Sequence, residues 1–316
     1  MNYTNIKGLN LSKFTLGTVQ LGMKYGIANR SGKPDMEKAF KILQAAISSG
    51  INSFDTASLY GNSEEVLGKF FSSETYRTNN VSKNGLPLFT TKFKVAFEDN
   101  LSDTAIEKQI FGYAEQSLER LKIKEIPIYM LHNAKDMTQY GKIVPDTLRK
   151  LKRQGLIKKA GVSVYHPEEV EEMLKDDLYE AVQLPMNLFD QRMISSGILK
   201  KLKMDNIIVF IRSVFLQGLF FLDPANLPVR LEIAREPLIL LNKLAEKENM
   251  EIAEMAISYI RDMEGVSSLV LGVETPEQII ENVELIDAPA ISPKTRDELE
   301  RCFRSVSILE IMEGLK

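Results

Sequence analysis

Apolar positions along the chain fall into two kinds of run, and the two kinds alternate. Short β-rich runs occur at FTLGT (14–18), INSFD (51–55), LFTTK (88–92), IPIYML (126–131), KKAGVSV (158–164), EAVQL (180–184), NIIVFI (206–211) and SSLVL (267–271). Several lack polar alternation, which suits strands covered on both faces. Between them the period changes to that of a helix. In 36–47, Met36, Ala39, Phe40, Leu43 and Ile47 share one face, and in 104–121 Ile106, Ile110, Tyr113, Leu118 and Leu121 do the same. The segment TPEQ predicts a helix start, with Thr275 as N-cap, Pro276 in the first turn and Gln278 closing a capping box.

Strand–helix alternation repeated about eight times predicts a parallel sheet, and eight units favour a closed (β/α)8 barrel over an open doubly wound sheet. No GxGxxG follows the first strand, which counts against a dinucleotide-binding Rossmann domain. The polar stretch 72–86 predicts a loop before the third strand, and 293–312 an extra helix outside the barrel. No break in composition divides the chain, so residues 1–316 are expected to form one domain.

Composition narrows the function classes. The chain has 316 residues, 44% hydrophobic and 26% charged, with a net charge of −3. There is no basic block interleaved with aromatics, so nucleic acid is not an expected partner. The most apolar run, 207–222, is interrupted by Arg212 and Gln217 and falls short of a span of about 20 residues, so it reads as buried strand plus loop. The first residues lack the apolar core of a signal peptide, and Cys302 is the single cysteine. A cytoplasmic protein that enters no membrane is the expectation.

In a barrel of this kind chemistry sits at the carboxyl ends of the strands. Asp55 ends the second strand and Tyr60 follows it, Lys92 ends the third, and His132 follows the fourth. A free phenol titrates at about pH 10, and a neighbouring ammonium is expected to lower that value. Lys92 supplies the ammonium, Asp55 fixes it by an ion pair, and His132 orients a carbonyl oxygen by a hydrogen bond. The set provides a general acid beside developing oxyanion charge but no nucleophile and no metal cage. A hydride donor must then come from outside.

The segment INSFDTASLYGNSEEVLG, with TTK and LH downstream, resembles the signature of the aldo-keto reductase family, and nearly the whole chain follows that family's order of elements. The resemblance implies a (β/α)8 barrel and NAD(P)H-dependent reduction of an aldehyde or ketone. It carries catalytic roles onto Asp55, Tyr60, Lys92 and His132, with Tyr60 as proton donor. Two other readings share these features: a barrel that binds the cofactor as a redox sensor or regulatory subunit, and a lyase or epimerase on a sugar derivative.

The resemblance also implies a cofactor site. Ser163, in GVSVY, and Gln183, in AVQLP, match the residues that hold the nicotinamide carboxamide, although Val164 replaces the usual asparagine. Gln217, Gly218 and Leu219 fall in the loop whose backbone cradles the pyrophosphate. Arg212 stands where many relatives carry an aromatic residue over the nicotinamide, and a guanidinium plane can also stack. Gly272, Glu274, Gln278 and Asn282 mark the adenosine end, without the basic residues that grip a 2′-phosphate. NADPH is the family's usual cofactor; Glu274 makes NADH expected to serve at least as well. Arg212 also favours anionic carbonyl substrates, such as small phosphorylated aldehydes alongside sugar aldehydes. Tyr25 and Asn29 fit either a substrate entrance or an ordered turn, and His166, before Pro167 and a helix, fits either a helix cap or a surface position.

Overall fold

The computed structural model describes every residue except 28, 30, 31, 75, 77–86, 97–100 and 316. The loop expected at 72–86 therefore lies mostly outside the described residues. A hairpin of β1 (Tyr3–Ile6) and β2 (Leu9–Ser12) comes first. Eight parallel strands follow: β3 (Phe14–Gly17), β4 (Ser53–Asp55), β5 (Leu88–Phe93), β6 (Ile126–Leu131), β7 (Ile157–Ser163), β8 (Tyr179–Pro185), β9 (Ile208–Arg212) and β10 (Ser268–Gly272). They close into a barrel in which β10 pairs with both β9 and β3. Every expected strand is present, within one to two residues at each end.

Strand side chains alternate between two faces, and that alternation creates two cores. Outward-facing Phe54, Phe89, Tyr129, Leu131, Val182, Val209 and Ile211 pack under the helices. Inward-facing Ile128, Met130, Ala181, Ile208 and Phe210 form a separate cluster with Leu9 and Leu11 of β2. The hairpin therefore plugs the amino end of the barrel. Its tight turn uses Lys7 and Gly8, both at positive φ, the backbone that a two-residue hairpin turn demands.

The helices form as their periodicity predicts. Met36–Ser48 and Asp103–Leu121 are capped by the side chains of Asp35 and Ser102. Thr275 caps Pro276–Ile286, but Gln278 accepts from the backbone N–H of Glu274 rather than that of the cap residue. His166 occupies the N-cap position of Pro167–Met173. The segment 293–312 is two short helices, Pro293–Phe303 and Ile308–Gly314, rather than one. The break falls on Ser305, Val306 and Ser307, which are weak helix formers because serine competes for backbone bonds and valine is β-branched. Among the described residues no helix is long and apolar enough to cross a membrane.

Candidate active site

Two-residue steps along the inward face lead from the apolar plug to the chemistry. Leu88 leads through Thr90 to Lys92, Ile128 through Met130 to His132, Ala181 to Gln183, Phe210 to Arg212, and Val270 to Gly272. Each series begins in the cluster around β2 and ends at the carboxyl mouth. There a cleft of about 670 Å³ opens, lined by Asp55, Tyr60, His132, Ser163, Gln183 and Arg212 among others. That volume suits a small-molecule ligand.

Lys92 is fully buried beneath the cleft floor. Its Nζ stands 2.8 Å from both Asp55 carboxylate oxygens and donates to the Thr56 carbonyl at 2.8 Å. Asp55 also accepts from Gln183 Nε2 at 2.7 Å. Burial pushes the Lys92 ammonium below its usual range, and the Asp55 carboxylate works against that shift.

Tyr60 is placed by backbone packing. A Cβ on Gly22 would lie 1.8 Å from the Tyr60 carbonyl oxygen, and one on Gly61 would lie 2.3 Å from the Gly22 carbonyl oxygen. Gly61 also has φ +56°. The two glycines let the loops after β3 and β4 touch, which any side chain would prevent. A hydroxyl cluster reinforces the contact: Ser63 donates to the Thr18 carbonyl at 2.9 Å, Thr56 donates to Ser63 at 3.0 Å, and Thr18 donates to the Asp55 carbonyl at 2.8 Å.

Lys92 Nζ lies over the Tyr60 ring, 5.0 Å from its centroid. The two groups share one site, but the expected acidification of the phenol is not found. Burial raises the Tyr60 pKa, the Asp55 carboxylate adds to the rise, and Arg212 opposes it. The Lys92 charge is directed at Asp55 and Thr56. Tyr60 is thus a firmly protonated phenol.

His132 meets the Tyr60 ring edge-on, with centroids 5.6 Å apart. Burial, with Lys92, Arg212 and Lys94 nearby, pushes its pKa down to about 3. Its Nδ1 is buried without a hydrogen-bond partner. A proton on Nδ1 would leave a buried N–H unsatisfied, which favours the tautomer with its proton on Nε2.

Nine of the remaining expected site residues lie along the same cleft. Ser163, Gln183, Arg212, Gln217, Gly218, Gly272, Glu274, Gln278 and Asn282 line it. The Leu219 side chain is fully buried in the core, and its expected part in the cradle is through its backbone N–H. In the loop after β9, Ser213, Leu216, Gln217 and Gly218 all have positive φ, and successive turns of this kind make concave backbone nests for anions. The Gly218 N–H is already bonded to the Phe215 carbonyl at 2.9 Å. Arg212 stacks on the Tyr165 ring at 4.2 Å and donates to the Val164 carbonyl at 2.9 Å. Tyr25 and Asn29 line the cleft, and Asn29 also ties the turn through the Tyr25 carbonyl and the Gly32 N–H.

Sequence reasoning missed Gln20, Tyr165, Glu251, Glu281 and Glu284, which also line the cleft. The position of Gln20, three residues past a strand end, was a readable signal; the three glutamates look in sequence like solvated helix positions.

A family model for the aldo/keto reductase family matches residues 13–304. The chain belongs to this family. Membership makes it an oxidoreductase that acts on carbonyl groups with a nicotinamide cofactor. Among curated aldo/keto reductase relatives, the uncharacterised oxidoreductase YqkF of Bacillus subtilis is 26% identical, covering 93% of this chain and 100% of its own length. The L-glyceraldehyde 3-phosphate reductase of Escherichia coli is 23% identical over 95% of this chain and 91% of its own. Among solved folds, a Bacillus halodurans aldo-keto reductase superposes with a TM-score of 0.74 at 21% identity, covering 95% of this chain and 96% of its own.

Proposed function

We propose that this cleft reduces a small aldehyde or ketone, with Tyr60 as the proton donor. The observation that carries the reading is the convergence of a protonated phenol, a buried Lys92–Asp55 pair and a neutral imidazole at one mouth. His132 Nε2–H donates to the carbonyl oxygen and fixes its direction. The Tyr60 hydroxyl then gives its proton to that oxygen as negative charge develops. A raised phenol pKa keeps the proton in place until then, and an alkoxide is still far more basic than a phenolate. Lys92, held by Asp55 and Thr56, offsets the Asp55 charge beneath the phenol and packs over its ring. In the reverse direction Tyr60 accepts the proton.

The residues present fit a nicotinamide dinucleotide. The positive-φ turn after β9 offers a backbone cradle, and Ser163 and Gln183 face the cleft beside Asp55. When bound, the reduced nicotinamide supplies the hydride that no side chain here can. Ser163 and Gln183 would hold its carboxamide, the Arg212 plane would face its ring, and Gln217 with Gly218 would flank the pyrophosphate. Gln278 and Asn282 would flank the adenosine.

NADH is favoured at least equally with NADPH. Glu251, Glu274, Glu281 and Glu284 line the cleft, and Arg212 is the sole Lys or Arg among its described lining residues. Carboxylates repel a 2′-phosphate and accept from a free 2′-hydroxyl. For the substrate, Arg212 favours an anionic carbonyl compound, because its contacts among the described residues are the Val164 carbonyl, the Ser213 hydroxyl and the Tyr165 ring, none of them a carboxylate. The Escherichia coli relative's name points the same way. A carbonyl panel including sugar aldehydes and small phosphorylated aldehydes, followed by loss of reduced-cofactor absorbance with NADH and NADPH, tests the reading. Turnover of at least one class is expected. Tight cofactor binding with no turnover across the panel would favour a regulatory barrel.

A further inference from the structure

His132 must hold its ring in one direction if its Nε2–H is to aim at a carbonyl oxygen, yet nothing bonds the ring from behind. An imidazole is usually oriented by the bond that its second nitrogen makes, and the His132 Nδ1 is buried without a hydrogen-bond partner. The direction of the ring therefore depends on how firmly its backbone is held. β5 and β6 stay in register as far as Phe93 and Leu131, and the His132 N–H still reaches the Phe93 carbonyl at 2.7 Å. Beyond that point no backbone bond of the β5–β6 ladder remains to hold the loop.

Asp136 takes over there. It lies in the short 3-10 helix Ala134–Met137, which follows His132, and it is 0% exposed. One carboxylate oxygen accepts from the Val95 N–H, in the loop after β5, at 3.1 Å. The other accepts from the side-chain amides of Asn133 and Gln139, each at 3.1 Å. Asn133 directly follows His132. His132 is thus fastened twice, by its own N–H to Phe93 and through its neighbour to Asp136.

The choice of a carboxylate is informative. All three side-chain partners are neutral donors, and a buried charge without an ion pair is costly to keep. Burial accordingly raises the Asp136 pKa, against the bond from Val95 and the charge of Lys94. Capping of the 3-10 helix does not require it, because the Asn133 side chain already accepts from the Lys135 N–H at 3.3 Å. What the bridge does require is acceptance at both oxygens, which a carboxylate provides and an asparagine does not.

We propose that Asp136 is a positioning residue for His132, whose carboxylate ties the loop after β5 to the loop after β6 and so fixes the direction of the imidazole. This role rests on the reading of His132 as the group that orients a carbonyl oxygen.

The chain has two histidines, His132 and His166, so histidine-selective 15N labelling of the full-length protein yields ring signals from these alone. At neutral pH the wild-type His132 ring should show the Nε2–H tautomer. In Asp136→Asn its two nitrogen signals should move toward the average of both tautomers, while those of His166, in another loop, stay in place. The value of kcat/KM for a carbonyl substrate should fall about tenfold to a hundredfold, the scale of a misaligned group, with the dissociation constant of NADH within about twofold. In a His132→Asn background the same change should cost less than about twofold, because the residue it acts through is gone. Gln139→Ala, which leaves the Val95 and Asn133 bonds in place, should preserve the ring signals and keep kcat/KM within about twofold.

Unchanged His132 ring signals in Asp136→Asn overturn this inference alone, and so does a loosened ring with undiminished kcat/KM. A full loss in the His132→Asn background, or an equal loss from Gln139→Ala, overturns it too. A wild-type chain that reduces no carbonyl overturns the reading of His132 and this proposal with it. Should Asp136→Asn fail to fold, Asn133→Ala decides: it breaks the link beside His132, and ring signals that stay as in wild type overturn the role.

Discussion

Lys92→Met removes the cation at the centre of the site while nearly preserving volume. Lys92 is 0% exposed and Asp55 is 4% exposed, so the change leaves a carboxylate in a place water barely reaches. It deletes the 2.8 Å contacts to Asp55 and the 2.8 Å bond to Thr56. Only the Gln183 amide then serves Asp55. Stranding one member of a buried ion pair costs about 3–5 kcal/mol. Urea unfolding followed by far-ultraviolet circular dichroism should show a loss of that size, and turnover should fall at least about a hundredfold. In Lys92→Met/Asp55→Asn no charge is stranded, and Asn still accepts from Gln183. The double variant should recover more than half of the lost stability, a coupling of about 2–3 kcal/mol, while remaining inactive. A single-variant loss under about 1 kcal/mol, or a double variant as unstable as the sum of the two singles, would refute the buried-pair argument.

Four further outcomes follow from the geometry. Tyr60→Phe should lower turnover at least about a hundredfold while cofactor affinity, by titration of reduced-nicotinamide fluorescence, stays within about twofold. Gly22→Ala drives a Cβ into the Tyr60 carbonyl oxygen; it should destabilise the chain by about 1–3 kcal/mol and cut kcat more than cofactor affinity. His132, pushed down to about 3, is neutral in the folded chain where the unfolded chain binds a proton. Stability should therefore fall as pH drops from about 6.5 toward 3, and His132→Asn should flatten that decline in urea titrations. Glu274→Arg should tighten NADPH binding relative to NADH, read as a ratio of dissociation constants.

The barrel was legible because each buried strand is a short apolar run between amphipathic helices, a pattern that depends only on local periodicity. The convergence of the four residues proposed for catalysis was legible because strand ends place Asp55, Lys92 and His132 at one mouth, with Tyr60 in the loop beside them. The hairpin was missed although Leu9 and Leu11 alternate with polar neighbours beside Lys7–Gly8; four-residue strands give too little periodicity to stand out. The contact between Gly22 and Gly61 joins loops 39 residues apart in the chain, and nothing local announces it. The direction of the Tyr60 shift was misjudged because sequence shows that an ammonium is near but not that Asp55 and Thr56 already engage it.

The central claim is that hydride arrives from the dinucleotide while Tyr60 supplies the proton. Its most direct test uses NADH deuterated at both C4 positions with the carbonyl panel, reading the alcohol product by mass spectrometry for wild type and Tyr60→Phe. The account predicts one deuterium on the former carbonyl carbon with wild type and almost no product with the variant. Product without deuterium, or undiminished labelled product from Tyr60→Phe, would contradict it.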